Sequence, residues 1–169
     1  MRAWIRDIII ACLIALVVMQ FIKPTIVKES SMQPTLYENN YIFLSKQAYT
    51  FSTPKHGDII VFHTDMLTED GEEKMLIKRI IGLPGDVITV AEGQVYLNDE
   101  LLDEPYLLDA ETRGHIENVE VPEGELFVMG DNRQVSVDSR SDRVGFVPIE
   151  EVVGKAFFRL YPFNEMRTF

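Results

Sequence analysis

Cysteine is nearly absent from this chain of 169 residues, and the single one, Cys12, lies inside an apolar run. No disulfide framework and no cysteine-based metal site can be built, and cysteine gives no reading of the redox compartment. Histidine is scarce too: His56, His63 and His115 stand far apart, and no His-x-Glu or HExxH spacing suggests zinc. Basic residues number 16 against 27 acidic ones, for a net charge of −11. Residues 1–28 hold Arg2, Arg6, Lys23 and Lys28 against Asp7, a local +3 that leaves −14 for the rest. An acidic body argues against nucleic acid as a partner, because phosphate neutralisation needs clustered Lys and Arg. There is no internal repeat, and no helical period of useful length beyond the N-terminal run. At this length and 46% hydrophobic residues, one domain with a true core plus an attached segment is expected, not a two-domain machine.

The long apolar run that is present reads IIIACLIALVVMQFI from Ile8 to Ile22, with Gln20 its only polar residue. Extended to Val27 it spans about twenty residues, near the length of a bilayer crossing. Two readings compete. A cleaved secretory signal has this positive flank and short apolar core, but no small-x-small site follows the run, so an uncleaved anchor is favoured. Cations before it (Arg2, Arg6) and after it (Lys23, Lys28) leave the positive-inside rule nearly silent, and the acidic bulk of the chain favours the C-terminal side being outside.

Beyond the anchor the sequence reads as short strands. YIFL (41–44), DIIVF (58–62), MLIKRII (75–81), DVITV (86–90), QVYL (94–97), ELFVM (125–129) and VVGKAFFRL (152–160) are β-branched or aromatic runs separated by Gly and Pro turns. The expected fold class is mostly β and largely antiparallel. Thr64–Lys74 reads as a charged loop without evident chemistry, and 94–123 as a hairpin-bearing insertion.

Three stretches hold candidate chemistry. ESSMQPTL (29–36) places two serines just after the apolar segment: a polar turn, or a nucleophile. In MLIKRII, Lys78 shares a strand face with Leu76 and Ile80, and Arg79 shares the other with Ile77 and Ile81. Both cations fit side chains that snorkel from an exposed strand. Lys78 also fits a desolvated general base, for burial favours the neutral amine. At the reference pKa of about 10.4 only about one lysine in 2,500 is neutral at pH 7, so a working base needs a shift of roughly 3 to 5 kcal/mol. Arg79 cannot take that role, since a guanidinium keeps its proton. GDNRQVSVDSR (130–140) offers carboxylates and guanidiniums suited to ion pairs that fix a loop: Asp131 or Asp138 could neutralise Arg79 or Arg140, and Ser136 could bond the Lys78 amine. A Ser-His-Asp triad has no fixed order in sequence, so the histidines stay open as alternatives at this point.

ESSMQPTL, KRIIGLPGD and GDNRQVSVDSR, in that order after one N-terminal anchor, resemble the successive boxes of the bacterial type I signal peptidases, membrane-bound Ser-Lys endopeptidases. The whole chain fits, down to its FFRLYPF ending, and its short insertion is similar to that of Gram-positive members. The resemblance implies Ser31 as nucleophile and Lys78 as general base, with Ser136 orienting the amine, Arg79 and Asp131 as one supporting ion pair, and Asp138 with Arg140 as another. It implies a substrate groove lined by Val27, Met32, Leu36, Leu76 and Ile77, on a strongly twisted, largely antiparallel β domain with no cofactor. It further implies residues 1–28 as a cytoplasmic stub and single-pass anchor and 29–169 as an extracytoplasmic peptidase domain in the cell membrane. Secreted preproteins are the implied substrates, with the lipid bilayer and the protein secretion channel as further partners. One residue departs from the pattern: members generally carry Gly or Ser two places before the nucleophile, and here stands Glu29. That carboxylate opens the alternative of an impaired, membrane-anchored binding or assembly factor. A self-cleaving regulator of the repressor type, which shares the Ser-Lys logic, would need a DNA-binding N-terminal domain where this chain has an anchor.

Overall fold

A computed structural model describes residues 2–109 and 111–169. Met1, at the start of the expected anchor segment, and Ala110, in the expected insertion, lie outside it, as do the side chains of Arg2 and Ala3. The first element is α1, Arg2–Phe21, whose apolar side chains from Trp4 to Phe21 are all exposed. At a rise of about 1.5 Å per residue its 20 residues reach about 30 Å, the thickness of a bilayer's hydrocarbon core. The helix does not run on to Val27. Pro24 has no N–H to give a helix and β-branched Thr25, Ile26 and Val27 favour extended backbone, so Ile22–Ile26 forms the first strand, β1. Sheet structure thus begins inside the expected 1–28 segment.

Twelve strands are described, and every pairing is antiparallel. After β1 come β2 (Tyr41–Ser45), β3 (Ile59–Leu67), β4 (Glu73–Gly82), β5 (Val87–Ala91), β6 (Gln94–Leu97), β7 (Glu100–Leu101), β8 (Ile116–Glu120), β9 (Glu125–Met129), β10 (Val147–Pro148), β11 (Val152–Tyr161) and β12 (Arg167–Thr168). The larger sheet runs β1-β2-β11-β3-β4-β9-β10 with β12 on β11, and the smaller runs β7-β6-β5-β8. The expected insertion is therefore most of the smaller sheet. The expected loop Thr64–Lys74 is mostly strand: β3 continues to Leu67 and β4 starts at Glu73, leaving a turn of five residues between them. Its charges mislead because this end of the hairpin faces solvent on both sides, and polar residues serve there as well as apolar ones. Thr64 Oγ1 ties the hairpin by donating to the Lys74 carbonyl at 2.7 Å.

Strand alternation builds the core. On β3, Ile59 and Val61 pack into one cluster with Val27, Met32, Leu36, Ile42, Leu44 and Ala156. Ile60 and Phe62 face the other way, into a cluster with Leu76, Ile80, Leu126, Val128 and Val147. On β9 the same period of two sends Phe127 and Met129 into a third cluster with Ile81, Ile88, Val90, Val95 and Val121, which joins the two sheets. The central strands are thus buried on both faces, and Lys78, in the middle of β4, is cut off from water.

Candidate active site

Of the two neighbouring cations at the centre of β4, Lys78 and Arg79, one is desolvated. Lys78 faces the Leu76 and Ile80 side and is 1% exposed, whereas the Arg79 side chain keeps 11%. The Lys78 Nζ lies 2.8 Å from Ser31 Oγ and 3.0 Å from the Ile77 carbonyl oxygen, to which it donates. Burial pulls the lysine pKa down to about 8, against the smaller opposing pull of Asp138, Glu29 and Asp131. About a tenth of such a lysine is neutral at pH 7, several hundred times the fraction in open water. The pair can pass a proton between hydroxyl and amine, which is what turning a serine into a nucleophile requires.

Ser31 reaches this contact through the turn that follows Val27. The Leu36 N–H donates to the Met32 carbonyl at 2.8 Å and the Gln33 N–H to the Ser30 carbonyl at 3.1 Å, closing the turn locally. Its outer anchor is the 130–140 segment, whose Asn132 N–H donates to the Ser31 carbonyl at 3.0 Å. Gly130 is required for that approach: a Cβ there would collide with Ser136 Oγ and come within 2.5 Å of the Ser31 carbonyl oxygen.

The ion pairs form in the combination that the sequence left open. Arg79 grips Asp131 with two bonds, Nε to Oδ1 at 2.8 Å and Nη2 to Oδ2 at 2.7 Å, and its guanidinium lies 4.0 Å from the ring centre of Tyr106. Arg140 grips Asp138 in the same way, at 2.8 Å for each bond. Burial alone would raise the Asp138 carboxyl, but the Arg140 bonds and charge and the Gly130 N–H hold it below the usual carboxylate range. Ser136 differs from expectation. Its Oγ is buried and does not bond the lysine amine, which is bonded instead to Ser31 and the Ile77 carbonyl; it helps to hold the Asp138 carboxyl down.

An apolar cavity of about 480 Å³ opens between the chain leading to Ser31 and β4, lined by Val27, Leu76 and Ile77 among others. Met32 and Leu36, expected beside them, are fully buried in the core below. A second cavity of about 350 Å³ holds Ser31 itself, with Glu29, Lys74 and Leu76 in its wall. No histidine lines it. His56 is engaged with Asp86 at 2.6 Å in a turn, and His63 stands 3.7 Å from Glu73. Glu29 is not free: it forms a 2.5 Å ion pair with Lys74.

Sequence reasoning missed Glu104, Tyr106, Thr112 and Arg133. Arg133 is completely buried, bonded to Glu104 and, at 2.8 Å, to Thr112 Oγ1, while its Nε donates to the Gly130 carbonyl at 3.0 Å. These contacts bind the smaller sheet's loop to the segment that backs Ser31. The only signals were the charges of the 94–123 insertion and, for Arg133, its place among the guanidiniums of GDNRQVSVDSR.

Comparison with known proteins shows the family. The family model described as "Signal peptidase, peptidase S26" matches residues 1–161. A signal peptidase I from Bacillus licheniformis is 38% identical, the match covering 97% of this chain and 90% of the relative. Signal peptidase I S of Bacillus subtilis is 37% identical, over 97% of this chain and 91% of the relative. The crystal structure of a signal peptidase I from Enterococcus faecalis superposes with a TM-score of 0.51 at 31% identity, covering 62% of this chain and 97% of that one. With one apolar N-terminal helix, antiparallel sheets and a match over nearly its whole length, this chain belongs to the type I signal peptidases, serine endopeptidases of the S26 family.

Proposed function

We propose that the chain removes N-terminal signal peptides from secreted preproteins after a small-x-small motif, with Ser31 as nucleophile and Lys78 as general base. The observation that carries this reading is the 2.8 Å contact between Ser31 Oγ and the buried Lys78 Nζ. The cleavage-site segment adds as an extended strand in the groove between the chain leading to Ser31 and β4, and small side chains enter the pockets beside Val27, Leu76 and Ile77. Neutral Lys78 accepts the Ser31 proton as Oγ bonds to the scissile carbonyl carbon. The oxyanion that forms is met by the Ser31 backbone N–H. Collapse breaks the C–N bond, the lysine ammonium gives its proton to the leaving amine, and an acyl ester remains on Ser31. Lys78 then takes a proton from water, whose oxygen attacks the ester, and returns it to Ser31 Oγ as the signal peptide leaves as a carboxylic acid.

The Arg79–Asp131 and Asp138–Arg140 pairs hold the segment behind Ser31, and Ser136 orients the lysine amine during turnover. In this reading α1 crosses the cell membrane once, with the short N-terminus in the cytoplasm and the β domain on the extracytoplasmic side. Preproteins emerging from the secretion channel then share a bilayer with the enzyme, which raises their effective concentration. The test is to incubate detergent-purified protein with a preprotein and determine the mass of both fragments. The expected result is one cut, directly after a small-x-small motif; cleavage elsewhere, or none, contradicts the proposal.

A further inference from the structure

The cavity that holds Ser31 is lined by charges for which the proton transfer has no use, and two of them are paired with each other. Glu29 lies two residues before Ser31, Lys74 lies four before Lys78 on β4, and their 2.5 Å ion pair crosses the groove between the two segments. Both side chains border the Ser31 cavity and the apolar cavity beside it, so the bridge stands where the two meet. It is partly solvated, at 41% exposure for Glu29 and 35% for Lys74. Lys28, Glu38 and Arg143 also line the Ser31 cavity, but the ion pair of Glu29 is with Lys74.

Attack by Ser31 on a carbonyl places a full negative charge on an oxygen in this cavity. A loose carboxylate two residues away would oppose that charge, the more strongly once a bound peptide has excluded water. Glu29 has the side-chain freedom to do so. Its pairing with Lys74 draws the carboxylate to the β4 side and neutralises it.

We propose that Lys74 is a positioning residue for the reaction at Ser31, holding the Glu29 carboxylate against β4 and away from the oxygen that becomes negative. The inference rests on Ser31 being the nucleophile. The same pair is balanced at the base: Glu29 raises the Lys78 pKa and Lys74 lowers it, while Asp138 and Asp131, which also face Lys78, have Arg140 and Arg79 as their own partners. Removing one member of the bridge exposes the other to both reacting groups.

The experiment compares four full-length proteins in detergent: wild type, Lys74→Met, Glu29→Gln and the double variant. Lys74→Met is expected to lower kcat about tenfold or more, short of the 10² to 10³ lost with an oxyanion donor, with KM within about threefold. In the Glu29→Gln background the same substitution should lower kcat by less than about threefold, because the carboxylate to be restrained is gone. A merely structural role for Lys74 predicts equal losses in both backgrounds. A second readout does not depend on cleavage: an NMR titration of Lys78 should move upward in Lys74→Met and downward in Glu29→Gln. Equal losses, a Lys74→Met enzyme with wild-type kcat, or an unmoved Lys78 titration each overturn the proposal. A wild type that cuts no preprotein counts against the reading of Ser31 instead, and the Lys78 titration then decides whether the bridge acts on the base.

Discussion

Lys78 combines a cost in stability with a gain in reactivity. Its folded pKa of about 8 lies below the unfolded value of 10.5, so between those values the unfolded chain binds more protons and stability rises with pH. Below pH 8 the penalty is constant, at about 3 kcal/mol. Lys78→Met should therefore unfold at higher denaturant at pH 7 by up to that amount, while losing all cleavage; an unchanged or lower midpoint contradicts the assignment. In the wild type, kcat/KM should rise with pH through about 8, because the base works only when deprotonated, and a profile already flat below pH 7 would deny it the role. A lysine between aliphatics in MLIKRII was enough to single this residue out. Ser31 could be told from Ser30 only by the resemblance, and Glu29 by its departure from it. The partner of Glu29 was hidden, because Lys74 lies 45 residues away in a stretch whose charges read as loop.

Among the elements, the segment from Gly130 to Arg140 depends on the smaller sheet. Arg133 is fully buried and Glu104 nearly so, and removing one partner of such a pair typically costs 3 to 5 kcal/mol. Glu104→Ala should lower the stability of the β domain by about that much in denaturant titration; a change under about 1 kcal/mol would mean that the insertion only decorates the site. Gly130→Ala should be inactive even where folded, since the added carbon displaces Ser31 or Ser136. The seven expected strands were legible because their apolar runs keep the period of two that β3 and β9 use to fill two clusters each. Strands β1, β7, β8, β10 and β12 were not: β7, β10 and β12 have only two residues, β8 is polar and β1 contains Lys23 and Pro24, so all are held by register with a neighbour. Side-chain links such as Arg133 to Glu104 join positions 29 apart, and no local pattern encodes them.

At the scale of the molecule, an apolar helix with no buried face is attached to a β domain that holds its own three clusters. A protein lacking residues 1–20, which keeps the bond from the Lys46 N–H to the Phe21 carbonyl, should unfold with an unchanged cooperative transition yet no longer float with lipid vesicles. Loss of the transition would make α1 part of the fold. The helix was readable from hydropathy alone, whereas its end at Phe21 was set by the strand that pairs next to it. The central claim is that Ser31 and Lys78 act as one catalytic pair, and the most direct test is preprotein cleavage by Ser31→Ala, Lys78→Ala and Lys78→Arg beside wild type. All three variants should leave the preprotein intact, Lys78→Arg included, because a guanidinium keeps the charge but cannot accept the serine proton. Continued cleavage by either Lys78 variant would contradict the account.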